Sequence, residues 1–308
     1  MYTERKNIQE KVATGRFTLA AATFISLILW MLTASSWAEA ATAGVCALTG
    51  YLMVELNTAF SLIRTRTFFH ISVYWLTASL CVFNHSFTSS AFIPLIFILS
   101  LYQLYRSYEE SESAGDIFNA FLLLSIGSFI FPMFLYFSLL IYLAMIEFRS
   151  FTTRTFIAGI LGMLTPWWIY FGYSYITDNI PAFAARLSLF ADFCVRDYAS
   201  IGSERLAAAG FITLISLIGT VDYIASAFHD KTRTRIFLKL LIVVELSVYL
   251  VGAIRPCYFD ELISIQAVVA SIFAAHCFVL HNTKITNILF ILSSILFLGW
   301  ASFNLWIH

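Results

Sequence analysis

Blocks of sixteen to twenty-three mostly apolar residues recur along this chain from Phe17 onward, parted by short polar breaks. Each is long enough to cross a hydrocarbon core of about 30 Å as a helix. In lipid every backbone N–H and C=O has to be satisfied within the protein, and a helix does this inside one segment. A β-barrel instead alternates apolar and polar residues over about ten positions, and no stretch here does so. Composition agrees, with 60% of the 308 residues hydrophobic and 12% charged. Globular domains carry roughly 25% charged residues, so this chain has too few to clothe a water-facing surface. The expected fold is all-α, a polytopic membrane helix bundle forming a single integral membrane domain over residues 1–308.

Polar breaks delimit spans at about 17–37, 40–63, 67–83 and 90–105. The first follows a polar, basic segment (1–16) and exceeds an ordinary signal-peptide core, so it is read as an uncleaved span. After a charged loop at 106–116 comes an apolar block, 117–148, too long for one span and short for two. Pro132 lies near its centre. Proline removes a helical hydrogen bond and disfavours helix at the residue before it, which divides the block into spans five and six. Five further spans follow at about 156–175, 206–228, 236–254, 262–280 and 287–307, making eleven.

Charge tests that division, because basic residues are retained in short cytoplasmic loops. With the N-terminus inside, Arg5, Lys6, Lys11, Arg16, Arg64, Arg66, Arg106, Arg149, Arg154, Lys231, Arg233, Arg235, Lys239 and Lys284 fall on the cytoplasmic side. Arg186, Arg196, Arg205 and Arg255 fall outside, a ratio of fourteen to four. A single span over 117–148 lowers it to eleven against seven. The expected topology is therefore N-in/C-out.

One loop is long, 176–205 on the outer face. Phe183, Leu187, Phe190, Cys194 and Tyr198 make an apolar stripe at helical spacing, opposite an Asp192–Arg196 pair in the favourable i,i+4 order. Pro181 suits a first helical turn. The expectation is an amphipathic helix lying in the outer interface.

Ionisable groups inside spans are costly and mark candidate sites. They are Glu55, Asp222, Glu245 and His276. Together they suit a proton relay or cation path; locally paired groups are the plainer alternative, with Asp222 under two turns from His229. A second constellation is on the outer side: Glu39, Asn84, His85, Arg255, Tyr258, Asp260 and Glu261, with Arg186, Asp192, Arg196, Asp197, Glu204 and Arg205 around the long loop. An acid serving as general base and arginines clamping phosphate are what transfer from a polyprenyl-phosphate-linked sugar requires. The plainer alternative is solvated loop polarity.

No P-loop, GxGxxG or GxSxG pattern occurs, no histidine box suits a di-iron centre, and the cysteines lack metal-ligand spacing. No metal and no cofactor are expected, and a formal charge of zero gives no nucleic-acid signature. Cys194 and Cys257 both fall outside, at a separation the sequence does not give. The small residues Ser36, Ala40 and Gly44, and Ala270 with Ala274, have the spacing that permits close helix approach.

Several short motifs carry a resemblance. They are Arg64-Thr-Arg66, the acidic loop before Asp116-Ile-Phe118, Phe131-Pro132, Arg149 to Arg154, Gly162-Met-Leu-Thr-Pro166, and Asp260-Glu-Leu-Ile with Ala274 and Ala275. Over most of its length the chain resembles a family of polytopic inner-membrane proteins of Bacteroidota to which no reaction is attached. The resemblance implies an inner-membrane location. More distantly, the alternation of short spans is similar to the membrane part of GT-C glycosyltransferases, which carry an acid in a sizeable first outer loop. Here that loop has three or four residues, and Glu39 is the acid that matches. The leading expectation is envelope glycan biogenesis acting on a polyprenyl-phosphate-linked sugar from the outer face. Glu39 is then the base, with Arg255, Arg196 and Asp260 around the phosphate. A proton-coupled transporter or flippase using Glu55, Asp222, Glu245 and His276 is the second expectation, and a non-catalytic scaffold the third. Membrane lipid is the expected partner in all three.

Overall fold

The computed structural model describes residues 7–33, 36–191 and 201–307. Among them are thirteen α-helices and no strand. In chain order they are α1 (Ile8–Ala13), α2 (Thr18–Thr33), α3 (Trp37–Phe60), α4 (Phe69–Leu80), α5 (Ile93–Arg106), α6 (Ala114–Ser128), α7 (Phe134–Glu147), α8 (Thr153–Ile176), α9 (Ile180–Ala191), α10 (Ser203–Ser226), α11 (Thr232–Ile254), α12 (Phe259–Leu280) and α13 (Lys284–Ile307). A helix stands at the place of every expected span, and α9 stands where the amphipathic helix is expected. α1 falls in the polar N-terminal segment, where no apolar block announces a helix.

Among the described residues, six segments are long and apolar enough to cross a membrane: Trp37–Phe60, Thr153–Ile176, Ser203–His229, Thr232–Ile254, Pro256–Leu280 and Lys284–Asn304. Their outward residues, such as Leu161 and Trp168 of α8, Leu250 of α11 and Ile288 of α13, are exposed and apolar, a surface for lipid to cover. The helices at the other five expected spans are shorter than drawn. α2 has 16 residues, α4 12, α5 14, α6 15 and α7 14. At 1.5 Å per residue these reach only about 18–24 Å. Their ends have local causes. The α6–α7 break contains Pro132, and its apolar turn is tucked in, with Phe131 and Met133 buried. α3 stops at Ser61, whose left-handed backbone (φ 51°) turns its N–H back onto the Asn57 carbonyl.

The described helices fall into two compact units. The first holds Met1–Ala91, Asp197–Arg235 and Leu262–His308, hence α1–α4, α10, most of α12 and α13. Its seams are made by small and amide side chains, as is usual where apolar burial alone does not favour protein over lipid. Gly219 of α10 lies so close to α12 that a Cβ there would sit 2.6 Å from the Phe273 carbonyl carbon. Nearby, Gln266 Nε2 donates to Ser216 Oγ at 2.9 Å. Asn304 of α13 donates to the Leu80 carbonyl at the end of α4. α1 is pinned by Gln9, whose Nε2 donates to the carbonyls of Phe278 (2.8 Å) and His281 (2.6 Å). The expected close approach at Gly44 is not used, since that residue faces open space.

The second unit holds Phe92–Arg196 and Ile236–Glu261, hence α5–α9 and most of α11. Its tightest seam joins α6 and α8. Gly162 lies against the Phe118 carbonyl with no room for a Cβ, Ser125 Oγ donates to the Met163 carbonyl at 2.6 Å, and Trp167 Nε1 donates to Ser128 Oγ at 3.2 Å. α8 starts with a capping box in which Thr152 and Thr155 each accept from the other's backbone N–H. Two residues of the α9 stripe pack on α8: Phe183 contacts Trp167, Tyr170 and Phe171, and Phe190 contacts Trp167, while Leu187 is exposed. Within the long apolar set, α12 differs from the rest. Its segment is 89% buried, against 22–39% for the other five.

Candidate functional site

Four ionisable side chains converge in the first unit, from the C-terminal ends of α10 and α12 and the turns that follow them. His276 Nε2 is 2.8 Å from Asp230 Oδ2, and His281 Nδ1 is 2.6 Å from Asp222 Oδ2. The two imidazole centroids are 6.2 Å apart. Tyr223 closes one side, its ring edge-on to His276 at 5.2 Å and its hydroxyl donating to the Arg235 carbonyl. Cys277 adds a thiol bonded to Asp222.

Helix geometry explains the convergence. Asp222 is one turn beyond Gly219, and His276 is one turn beyond Phe273. The contact of Gly219 with the Phe273 backbone therefore sets the spacing at which these side chains meet. A 3-10 turn at Ala227–His229 then turns the chain back and delivers Asp230 to His276.

Burial is graded across the site. The His276 and Asp230 side chains are 1% and 3% exposed, those of His281 and Asp222 19% and 23%. One pair is sealed and the other opens towards the edge of the unit. His276 Nδ1 is buried with no hydrogen-bond partner among the described residues. Imidazole can take a proton on one nitrogen and release it from the other, so the arrangement has the elements of a relay. No cluster of three His, Cys, Asp or Glu suited to a metal occurs among the described residues.

Asp222 and His276, both singled out from the sequence, thus share one site. The local partner named for Asp222 is different: it bonds His281, while the His229 ring packs on Phe228 at 3.9 Å. Asp230 and His281 are the two members that sequence reasoning missed. The available signal was two aspartates and two histidines flanking facing helix ends. Glu55 stands apart on an exposed face of α3, bonded to Tyr51 one turn away. Glu245 belongs to the second unit, is buried, and accepts from the Tyr249 hydroxyl at 2.8 Å.

The outer constellation is distributed over both units. Glu39 sits in the first turn of α3, where a carboxylate favours the helix N-terminus, and accepts from Ser36 Oγ at 3.3 Å. Asn84 bonds Ser264, His85 stacks on Trp30 at 3.6 Å, and Arg205 pairs with Glu204 and lies over the Phe83 ring. Asp260 opens α12 from its first turn. Arg255 is buried, and its Nη2 donates at 3.1 Å to the Phe190 carbonyl. The Tyr136 hydroxyl donates to the same carbonyl at 3.0 Å, and its ring lies 5.8 Å from the guanidinium. Arg255 thus ties the α11–α12 turn to the last described turn of α9. Asp192, Cys194, Arg196, Asp197 and Tyr198 lie outside the described residues.

No protein-family model matches the chain, and no curated protein or solved structure matches it.

Proposed function

We propose that this is a multi-pass inner-membrane protein that couples proton movement to transport or lipid flipping, with His276, Asp230, His281 and Asp222 as the proton-handling groups. The observation that carries the reading is the graded pair of His–Asp contacts, one sealed and one edge-facing. A proton taken up at the Asp222–His281 pair passes to His276 through one bridging water, a step within reach at this ring separation. Asp230 stabilises the imidazolium that forms, and Tyr223 closes the remaining side. The unpartnered Nδ1 of His276 is the port at which that proton arrives, and Nε2–H passes one on to Asp230.

The topology that goes with this reading is eleven spans, N-in/C-out, which places the cluster near the cytoplasmic face. Its support is the fourteen-to-four distribution of basic residues. That count needs only an even number of passes between Arg106 and Arg149. It is equally served if the short α6–α7 hairpin dips into the membrane and returns. The polyprenyl-linked glycan reading draws no comparable support: Glu39 and Arg255 belong to different units and each has a local structural partner.

Proteoliposomes enclosing a pH-sensitive dye test the proposal. Wild-type protein is expected to carry a proton flux that His276→Ala and Asp230→Asn each reduce at least tenfold, with Asp222→Asn intermediate. Wild-type flux in folded His276→Ala protein would remove the basis of the reading.

A further inference from the structure

A groove in the first unit takes no part in the cluster. It encloses about 570 Å³, inside the roughly 300–1,000 Å³ range of ligand pockets. Its walls come from α2, α4, α10, α12 and α13, with Phe211, Phe278, Phe290 and Phe297 prominent. Five hydroxyls also line it, those of Thr18, Ser72, Thr77, Ser293 and Ser294. Each already donates to a backbone carbonyl of its own helix or the turn before it. Hydroxyls bonded back in this way have no donor left for a ligand. The groove therefore offers hydrocarbon contact and almost no hydrogen bonding, which suits a lipid chain and not a sugar or nucleotide.

At one end the character changes. Lys11, Gly15 and Arg16, in and after α1, form the mouth. Both cations are exposed, and neither meets a carboxylate among the described residues. α1 is held over this end by the Gln9 bonds to Phe278 and His281, and by Asn287 Oδ1 accepting from the Gln9 N–H at 3.2 Å. An apolar trough with two unpaired cations at one end is complementary to an amphiphile with a negative head.

We propose that the groove binds a single-chain anionic membrane amphiphile, its hydrocarbon chain between α2, α4 and α13 and its head group at Lys11 and Arg16. The volume holds one chain rather than two. This site is independent of the proton reading, and its test uses no transport measurement.

The full chain, purified in a bulky neutral detergent, is titrated with dodecyl phosphate and the retained adduct is read by native mass spectrometry. Dodecyl maltoside supplies the same tail with a neutral head, and inorganic phosphate supplies the head alone. One dodecyl phosphate per chain is expected to survive activation that strips dodecyl maltoside. Replacing Lys11 and Arg16 together by Ala is expected to weaken binding about thirtyfold, from the roughly fivefold that one basic residue contributes at a lipid surface. Ala21→Trp, on an exposed wall position, is expected to abolish it while elution and melting stay unchanged. Leu298→Trp is the second blocking variant should Ala21→Trp not fold. Equal retention of dodecyl maltoside, insensitive to the charge variants, would overturn the head-group assignment. Displacement of dodecyl phosphate by equimolar inorganic phosphate would overturn the role of the groove.

Discussion

Replacing Gly219 by Ala tests the link between packing and the histidine–aspartate cluster. A Cβ at this position would lie 2.6 Å from the Phe273 carbonyl carbon, 2.7 Å from its oxygen and 2.8 Å from its Cβ. Ordinary contact begins at 3.4 Å, so α10 and α12 have to part by about 0.8 Å. The obstructing atoms are backbone and cannot swing aside. Overpacking of this kind costs about 1–3 kcal/mol. Against that, Ala is favoured over Gly within a helix by about 1 kcal/mol. Gly210 supplies the internal control, since it lies in the same helix with open space around it. Both substitutions share the propensity gain, and only one meets Phe273. The difference between them is therefore the packing cost, about 1–3 kcal/mol. Denaturant titration of the two variants in micelles, read by tryptophan fluorescence, measures it. Because Asp222 and His276 lie one turn beyond the crossing, Gly219→Ala is also expected to lower proton flux where Gly210→Ala does not. If the two variants unfold together, the close approach does not hold these helices and the account of the site's geometry fails.

Three further predictions follow from single contacts. Arg255→Met removes a charged bond to the Phe190 carbonyl, at about 1.5–3 kcal/mol; amide exchange should accelerate across Ile180–Ala191, and unchanged exchange there would refute the anchoring role of this bond. Thr152→Ala breaks the α8 capping box and should cost about 0.5–2 kcal/mol, with Thr152→Ser retaining most of it; equal unfolding midpoints for the two would count against the cap. Ser61→Gly relieves a left-handed residue at the end of α3 and should stabilise by about 0.5–1 kcal/mol, whereas Ser61→Val should destabilise; the order of melting temperatures decides.

The positions of α2 to α13 were legible in the sequence because each rests on a local property, an apolar or amphipathic stretch or a breaker such as Pro132; that of α1, in a polar segment, was not. The lengths were less so. Apolar residues continue through turns such as Phe129 to Met133, so hydropathy runs on after the helix has ended. Half of the candidate site was legible, since an ionisable residue within an apolar run is conspicuous wherever it points. The pairing was not. Which histidine meets Asp222 depends on the rotation and crossing of two helices more than fifty residues apart, and the crossing is set by a glycine. Arg255 shows a further limit. Its partner is a backbone carbonyl, which no residue type in the sequence announces.

The burial of α12 has a consequence for how the molecule is made. Once in lipid, an apolar helix gains little by exchanging lipid for protein neighbours. What retains α12 is therefore shape and polar fit: Gly219 against Phe273, Gln266 with Ser216, His276 with Asp230. Yet α12 comes after α1 to α11 in chain order. Every helix before it is synthesised while its place is empty, and Ser216, Asp230 and Gln9 wait without their partners. A chain arrested before Phe259 thus lacks the helix against which Gly219, Ser216 and Asp230 pack. Completion of the first unit therefore waits on the synthesis of Phe259–Leu280.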